Sequence, residues 1–133
     1  MNEFYVYLIK NNQYTYIGFT NDIEKRIKRH NGILSGGAKY TKSKGFGWKY
    51  VCYISGFNNK IDALRFEWAF KHVKIKKRIS PIEKRIEALK ILLNKDYWTS
   101  KSPIASDTVL ILKWINETYK PKKIELPYYI FTE

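Results

Sequence analysis

Five side chains in the first half of the sequence have the types needed for phosphate chemistry: Tyr7, Tyr16, Arg26, His30 and Glu67. Arg26 and His30 are four residues apart, so a helix would place them one turn apart on the same face. A guanidinium can hold phosphate oxygens through two parallel hydrogen bonds. A basic helical face is more often simply solvated, and a single histidine is more often structural than catalytic. The pair therefore indicates a phosphate site only in combination with its neighbours.

Glu67 is the acidic residue with the most informative surroundings. In a helix it shares a face with Ala63, Phe66 and Phe70, and a carboxylate among apolar side chains is costly unless a cation compensates its charge. Two interpretations stay open. Glu67 is either half of an internal ion pair, with Arg26 as the partner, or a metal-binding or catalytic carboxylate.

The two tyrosines lie on segments that read as a β-hairpin. The stretches "FYVYLIK" and "QYTYIGFT" are rich in aromatic and β-branched residues, and Asn11-Asn12 between them is a typical turn pair. A two-residue turn there predicts that Tyr7 pairs with Tyr16 and Tyr5 with Gly18. One face of the hairpin would then be apolar core, and the other would carry the tyrosines, namely Tyr5, Tyr7, Tyr14 and Tyr16 beside Gly18.

The remaining elements follow from caps and periodicity. Thr20 or Asn21 can cap the helix that carries Arg26 and His30, the glycine-rich "GILSGGAKYTKSKGFG" reads as a loop, and "WKYVCYISGF" reads as a third strand. Further helices are predicted from Asn58 or Asn59 through "KIDALRFEWAFKHVKIKK", from the capping box at Ser80 with Pro81, and over "SDTVLILKWINETYK". These elements predict an α/β fold with a small central three-stranded sheet flanked by helices. The chain would comprise one domain over residues 1–80 and a helical C-terminal extension over residues 81–133.

The charge of the chain indicates an anionic partner. The formal net charge is +13, and residues 1–80 hold 16 Lys and Arg against 5 Asp and Glu. Such an imbalance in a folded, aromatic-rich chain is typical of nucleic-acid binding. The cations expected to track a DNA backbone are Lys25, Arg29, Lys39, Lys42 and Lys44. Nearby aromatic side chains are either base-stacking residues or core, namely Tyr40, Phe46 and Trp48.

The cellular setting is also suggested by composition. A single cysteine, Cys52, allows no internal disulfide and no cysteine-rich zinc site, and no apolar run is long enough for a membrane span. The N-terminus lacks the pattern of a signal peptide. We therefore expect an intracellular, soluble protein without a membrane partner.

Several short motifs along residues 4–72 occur in a recognisable order: "YVY", "YIG", the helical Arg26, "HNG", "GGAKYT" and "ALRFEW". This order resembles the GIY-YIG nuclease family. Within that family it is most similar to the branch that contains the catalytic subunit of the Slx structure-selective endonuclease, which cuts flaps and Holliday-type junctions. Tyr5 stands where the family name has glycine.

The resemblance implies a phosphodiesterase that uses one Mg²⁺ or Mn²⁺ ion, with Glu67 as its protein ligand. Tyr7 would be the general base, Tyr16 would position water or phosphate, and Arg26 would neutralise charge on the phosphoryl group. His30 would assist by hydrogen bonding near the nucleophile. The products would carry 5′-phosphate and 3′-hydroxyl ends.

The implied substrate is branched DNA in recombination, repair or replication. Two alternatives stay open: a non-catalytic nucleic-acid-binding module, and a nicking or repair nuclease of the same family without junction preference. In the branch resembled here, the nuclease domain continues into a zinc-binding RING domain that docks a scaffold partner. Residues 81–133 lack that cysteine pattern, so dependence on a scaffold is left open. Three roles stay open for this region, which are to cover the sheet, to form a homodimer or to add a DNA contact, and its near-neutral charge favours the first two.

Overall fold

The computed structural model describes residues 3–133, which form a single five-stranded sheet with helices on both faces. The strands are β1 (Tyr5–Asn11), β2 (Tyr14–Thr20), β3 (Lys49–Ser55), β4 (Leu110–Trp114) and β5 (Ile130–Thr132). The helices are α1 (Ile23–His30), α2 (Lys39–Ser43), α3 (Lys60–His72) and α4 (Pro81–Leu93), with short 3₁₀ turns at Ala105–Asp107 and Glu117–Tyr119. The predicted α/β class is therefore confirmed. None of the helices in this part of the chain is both long and apolar enough to cross a membrane.

The β1–β2 hairpin forms where it was predicted, but its register differs from the prediction. Asn11 pairs with Tyr14, so the turn residues are Asn12 and Gln13, and Asn12 has a positive φ of 54°. Tyr7 consequently lies opposite Gly18 rather than opposite Tyr16. The predicted assignment of side chains to the two faces is still correct, because a shift of two residues keeps every side chain on the same side of the sheet.

The strand order is β2-β1-β3-β4-β5, so β1 is central and β2 is an edge strand. A bulge in the β1–β3 pairing lies at Val51, since Leu8 pairs with Cys52 and Ile9 with Tyr50. This extra residue lets Val51 and Cys52 both pack in the core. It also returns Tyr50 to the face that carries Tyr7.

The two faces of the sheet have different coverings. On one face, α3 and α4 bury their apolar stripes against Val6, Leu8 and Ile17. On the other face a smaller cluster is built from Tyr7, Ile9 and Trp48, with tyrosines and Ile27 of α1 around it. The sheet therefore separates a conventional apolar core from an aromatic face.

The helices begin at capping residues that are largely those expected. Asn59 caps α3, and Ser80 with Glu83 forms the predicted capping box with Pro81 as the first residue of α4. The first helix differs from the prediction, because the side chain of Asp22, and not Thr20 or Asn21, accepts the Lys25 backbone N–H. The glycine-rich loop also contains the short helix α2, which was not predicted.

The C-terminal region was predicted as wholly helical, and this prediction was wrong beyond α4. Residues 110–114 form β4, which pairs antiparallel with β3, and β5 then pairs parallel with β4. Leu110, Leu112 and Trp114 alternate into the core with two half-buried residues between them, which is the two-residue period of a strand. The sheet therefore has five strands rather than three, and residues 81–133 share the core of residues 3–80.

Candidate active site

Tyr7 lies at the centre of the aromatic face, and its side chain is fully buried. Its ring packs edge-on against Tyr50, with 5.6 Å between ring centroids, and against His30 at 5.7 Å. The Tyr16 ring is tilted relative to the Tyr7 ring, with 6.5 Å between centroids. Gly18 makes this arrangement possible, because a Cβ atom there would fall within 3.0 Å of the end of the Tyr7 ring.

The Tyr7 hydroxyl joins two side chains of α1. Its oxygen lies 2.6 Å from Nε2 of His30 and accepts a hydrogen bond from Nε of Arg26 at 3.2 Å. The spacing of four residues between Arg26 and His30 directs both toward the same point, as the sequence predicted. The structure therefore brings Tyr7, Arg26 and His30 together.

The hydrogen-bond partners determine the direction of the proton chain. The Thr41 hydroxyl donates to the Ala38 carbonyl at 3.0 Å, so it accepts from Nδ1–H of His30 at 2.8 Å. Nε2 of His30 is then unprotonated and accepts the proton of the Tyr7 hydroxyl. The Tyr7 proton thus points at a neutral imidazole, and Arg26 donates to the same oxygen.

The pKa values of this pair are shifted in opposite directions. Burial lowers the pKa of His30 to about 4, and the positive charge of Arg26 adds to the effect. Burial raises the pKa of Tyr7 above its ordinary value of 10.0, although the Arg26 hydrogen bond and charge oppose that change. At neutral pH both groups are therefore uncharged in the free protein.

The pKa of His30 predicts a specific loss of stability in acid. Between about pH 6.5 and pH 4 the unfolded chain binds a proton at this histidine and the folded chain does not. The free energy of unfolding should therefore fall as the pH falls, by about 2 to 3 kcal/mol from this group between pH 7 and about pH 4.5. Urea unfolding at both pH values should show a smaller loss for His30→Gln than for the wild type. Equal losses would contradict the assignment.

The arginines of α1 also fix the loop that follows it. Arg26 donates through Nη1 to the Gly36 carbonyl at 3.1 Å, and Arg29 donates to the Ser35 carbonyl at 2.8 Å. The Arg29 backbone lies so close to Gly37 that an added Cβ would fall within 3.0 Å of its carbonyl. Arg29, predicted as a DNA contact, therefore has a structural role in this loop.

Glu67 lies on α3, which contacts β2 and β1. Its side chain is 17% exposed and forms an ion pair with Lys71, with 3.4 Å between Oε2 and Nζ. The partner is thus Lys71, and the ion pair with Arg26 considered from the sequence is absent. The Glu67 charge still reaches the Tyr7 hydroxyl, since it contributes to the raised pKa of Tyr7.

The carboxylate and imidazole side chains near Tyr7 determine how a divalent metal would be bound. Within residues 3–133 there is no group of three or more His, Cys, Asp or Glu side chains that could enclose a metal. A single partly exposed carboxylate matches the way Mg²⁺ is commonly held, by one or two carboxylates together with water and substrate phosphate. Glu67 fits such a site, and the described residues do not form a cage made of protein alone.

The predicted DNA-binding lysines differ in their surroundings. Lys25, Lys39 and Lys42 are exposed. Lys44 is partly buried, with its ammonium 4.6 Å from the ring centre of Tyr14. Trp48 is 1% exposed and donates to the Thr41 carbonyl, so it belongs to the core and does not stack on bases.

Two residues that support this site were not singled out from the sequence. Thr41 is fully buried beneath His30 and fixes its tautomer. Tyr50 packs on Tyr7, and its hydroxyl donates to the Ile23 carbonyl at 2.7 Å, which fixes the start of α1. The signal for Thr41 was present in the motif "GGAKYT", whereas the position of Tyr50 depends on the bulge at Val51.

Comparison with known proteins gives a consistent picture. The GIY-YIG catalytic domain family matches residues 3–80. The structure-specific endonuclease subunit slx1 of Schizosaccharomyces pombe is 34% identical over 112 residues, which cover 73% of this chain and 41% of that protein. The slx1 subunit of Xenopus laevis is 44% identical over 71 residues, covering 53% of this chain and 25% of that protein. The chain thus spans less than half the length of these curated relatives.

Proposed function

Because the chain belongs to the GIY-YIG nuclease family, we propose that it is a metal-dependent endonuclease that hydrolyses phosphodiester bonds in branched DNA. The observation that carries this proposal is the Tyr7 hydroxyl, which contacts both a neutral imidazole and a guanidinium on a strongly basic part of the chain. A tyrosine in such a setting can exchange its proton while a cation stabilises the resulting charge. A binding module would not require that arrangement.

In this proposal Tyr7 activates the attacking water. Because burial raises the pKa of Tyr7, its phenol does not ionise on its own at neutral pH. As the water oxygen attacks phosphorus, the water gives a proton to the Tyr7 oxygen, and the Tyr7 proton passes to Nε2 of His30, which already accepts its hydrogen bond. The two transfers are concerted, because the pKa values in the free protein make a separate phenolate–imidazolium pair unfavourable. Arg26 stabilises the negative charge that develops on the Tyr7 oxygen through Nε–H.

Arg26 also serves the phosphate. Its Nε and Nη1 groups bond to Tyr7 and to the Gly36 carbonyl, and its Nη2 group makes neither of these bonds. A phosphate oxygen at Nη2 would receive a charge-assisted hydrogen bond. Tyr16, with its ring 5.2 Å from His30, lines the same space and orients the water or the phosphate.

Glu67 would hold the divalent cation, Mg²⁺ or Mn²⁺, together with water and substrate phosphate. When bound, that cation polarises the scissile phosphate and stabilises the leaving oxygen. In the free protein Lys71 forms an ion pair with this carboxylate. Because the Lys71 side chain is 38% exposed, its ammonium could pair with a DNA phosphate instead. Water would form the new bond to phosphorus while the bond between phosphorus and the 3′ oxygen breaks, so the products would carry 5′-phosphate and 3′-hydroxyl ends.

The names of the relatives support a preference for branched DNA and the need for a partner. The proteins of Schizosaccharomyces pombe and Xenopus laevis are named structure-specific endonuclease subunits. By analogy with these names, this chain cuts DNA of a particular structure and acts with a partner protein, inside the cell. The homodimer considered from the sequence gains no support from these names.

Gly18→Ala tests the packing at the centre of the site. The added methyl group would displace the Tyr7 ring, which Tyr50 and His30 prevent from moving freely. We expect cleavage to slow by about a hundredfold or more, since a displacement of about 1 Å costs that much. Gly32→Ala is the control, because its Cβ meets no heavy atom within 4 Å. It should lower the melting temperature through its positive φ and retain cleavage, and an equally active Gly18→Ala would contradict the packing argument.

A substrate panel tests the proposed function and separates its alternatives. End-labelled Holliday junction, 5′ flap, replication fork and plain duplex are each incubated with the protein in Mg²⁺ and in chelator. Branched DNA should be cut at least about tenfold faster than duplex, corresponding to about 1.4 kcal/mol of discrimination. Equal cutting of all four would favour a nuclease without junction preference, and binding without cutting would favour the non-catalytic module.

A further inference from the structure

A cleft of about 620 Å³ opens beside Tyr16. It is bounded by β2, by Tyr40, by the end of α3 with Lys71, and by the beginning of α4 with Arg85. Arg85 lies outside residues 3–80, the part that matches the family, and within the C-terminal region that carries little net charge. The cleft therefore joins the candidate active site to a cation that the family match does not include.

Arg85 is held in place without an anionic partner. Its Nε donates to the Thr15 hydroxyl at 3.1 Å, which fixes the guanidinium against β2. The ion pairs found among residues 3–133 involve Arg65, Lys71, Lys77 and Lys90, and none of them includes Arg85. Burial lowers the pKa of Arg85 while the Tyr40 phenol opposes the shift, yet an arginine stays protonated. A partly desolvated cation of this kind is stabilised when an anion binds it.

One wall of the cleft is aromatic. Tyr16 and Tyr40 stack with 6.1 Å between ring centroids and 19° between ring planes, and Tyr40 is 43% exposed. Lys71 lies between this wall and Glu67, with its ammonium 5.4 Å from the centre of the Tyr16 ring. Cations beside exposed aromatic rings are the arrangement that binds single strands, in which phosphates meet the charges and bases stack on the rings.

We propose that this cleft binds an unpaired DNA strand next to the cleavage point, with a backbone phosphate at Arg85 and a base against Tyr40. The strand is unpaired because a base must leave its duplex stack before its face can lie on a tyrosine ring. This inference rests on the proposed function and extends it, since it gives the nuclease a feature that distinguishes a branch from continuous duplex. It also assigns a role in binding DNA to the first turns of α4.

The test measures binding of a fluorescent single strand of about 20 nucleotides in chelator, over a range of salt concentrations. Arg85→Gln should weaken binding roughly tenfold at low salt. It should also lower the slope of log affinity against log salt by about 0.7, the value for one phosphate contact on a single strand. Arg85→Lys should restore the slope, because the charge is retained. Tyr40→Ala should weaken binding without changing the slope.

The control is Lys95→Gln, an equal change in charge at an exposed lysine just beyond the C-terminal end of α4. Melting temperatures identify any variant that is merely unfolded, and Arg85→Lys keeps the charge if loss of the Thr15 bond destabilises Arg85→Gln. If Arg85→Gln binds with the same affinity and slope as Lys95→Gln, the inference is overturned. Binding in chelator requires no cleavage, so this test can be interpreted even if the protein is not a nuclease. If Arg85→Gln cuts DNA normally and binds the single strand as well as the wild type, this inference alone is overturned.

Discussion

Replacing Glu67 by glutamine is expected to lower the rate of DNA cleavage by about a thousandfold, which corresponds to about 4 kcal/mol of transition-state stabilisation. The amide keeps the size of the side chain and removes the charge that would hold a divalent cation beside Tyr7. DNA binding in chelator should be unchanged or slightly stronger, because a negative charge has been removed from a basic surface. Single-turnover cleavage and a binding titration on the same DNA measure the two effects.

The competing explanation is that Glu67 serves only as the partner of Lys71. An ion pair four residues apart on a helix contributes about 0.3 to 0.5 kcal/mol, so its loss would change stability slightly and cleavage little. Glu24→Gln is the matched control, since it removes an exposed carboxylate from the first turn of α1. If both variants cut DNA at the wild-type rate, Glu67 has no part in catalysis.

Tyr7→Phe is expected to have an effect of similar size on the rate. The change removes one oxygen and leaves the ring in place, so His30 loses the proton that it accepts and Arg26 loses an acceptor. If the Tyr7 oxygen is the base, we expect cleavage to slow by at least about a thousandfold. The buried groups left unpaired also cost stability and should lower the free energy of unfolding by about 1 to 3 kcal/mol.

A second tyrosine provides the control for this variant. Tyr53 lies on the same face of the sheet and packs edge-on against Tyr5 and Tyr50. Tyr53→Phe removes the same atom, and cleavage should continue at close to the wild-type rate. If Tyr7→Phe instead cleaves as fast as Tyr53→Phe, Tyr7 is not the base. The proposed proton transfer from water through Tyr7 to His30 is then wrong.

The tyrosine face could be predicted from the sequence although the hairpin register could not. Alternation along each strand decides which side chains share a face, and this pattern is local. The register depends on which residues form the turn, and two successive asparagines allow more than one choice. The structure places the positive φ at Asn12, so that Tyr7 meets Gly18 instead of Tyr16. Only the three-dimensional packing shows that this glycine provides the space for the Tyr7 ring.

The strand β4 illustrates a different limit. Its residues Leu110, Ile111 and Leu112 are consecutive and apolar, and such a short run fits a buried helix as readily as a strand. The deciding interaction is the ladder with β3, more than fifty residues earlier in the chain. Local periodicity carries no information about that pairing, because the energy of a strand depends on its neighbours in the sheet.

Some residues around the site could be predicted from local spacing, and others depend on tertiary contacts. Arg26 and His30 could be found because their spacing of four is a local property of a helix. Arg85 could not, since the Thr15 hydroxyl that holds it lies on another element, 70 residues away along the chain. The charge pattern does not indicate Arg85 either, since residues 81–133 hold 9 Lys and Arg against 7 Asp and Glu. Tertiary placement alone brings that arginine to the cleft beside Tyr16.

We propose above all that the cluster around Tyr7 is a site of phosphodiester hydrolysis. Its most direct test is single-turnover cutting of an end-labelled 5′ flap by the purified protein, at a protein concentration that binds all of the DNA. We predict a cut within a few nucleotides of the branch in Mg²⁺ or Mn²⁺, a product with a 5′-phosphate end, and no cut in chelator. A fully bound flap that stays intact with both metals would contradict the claim.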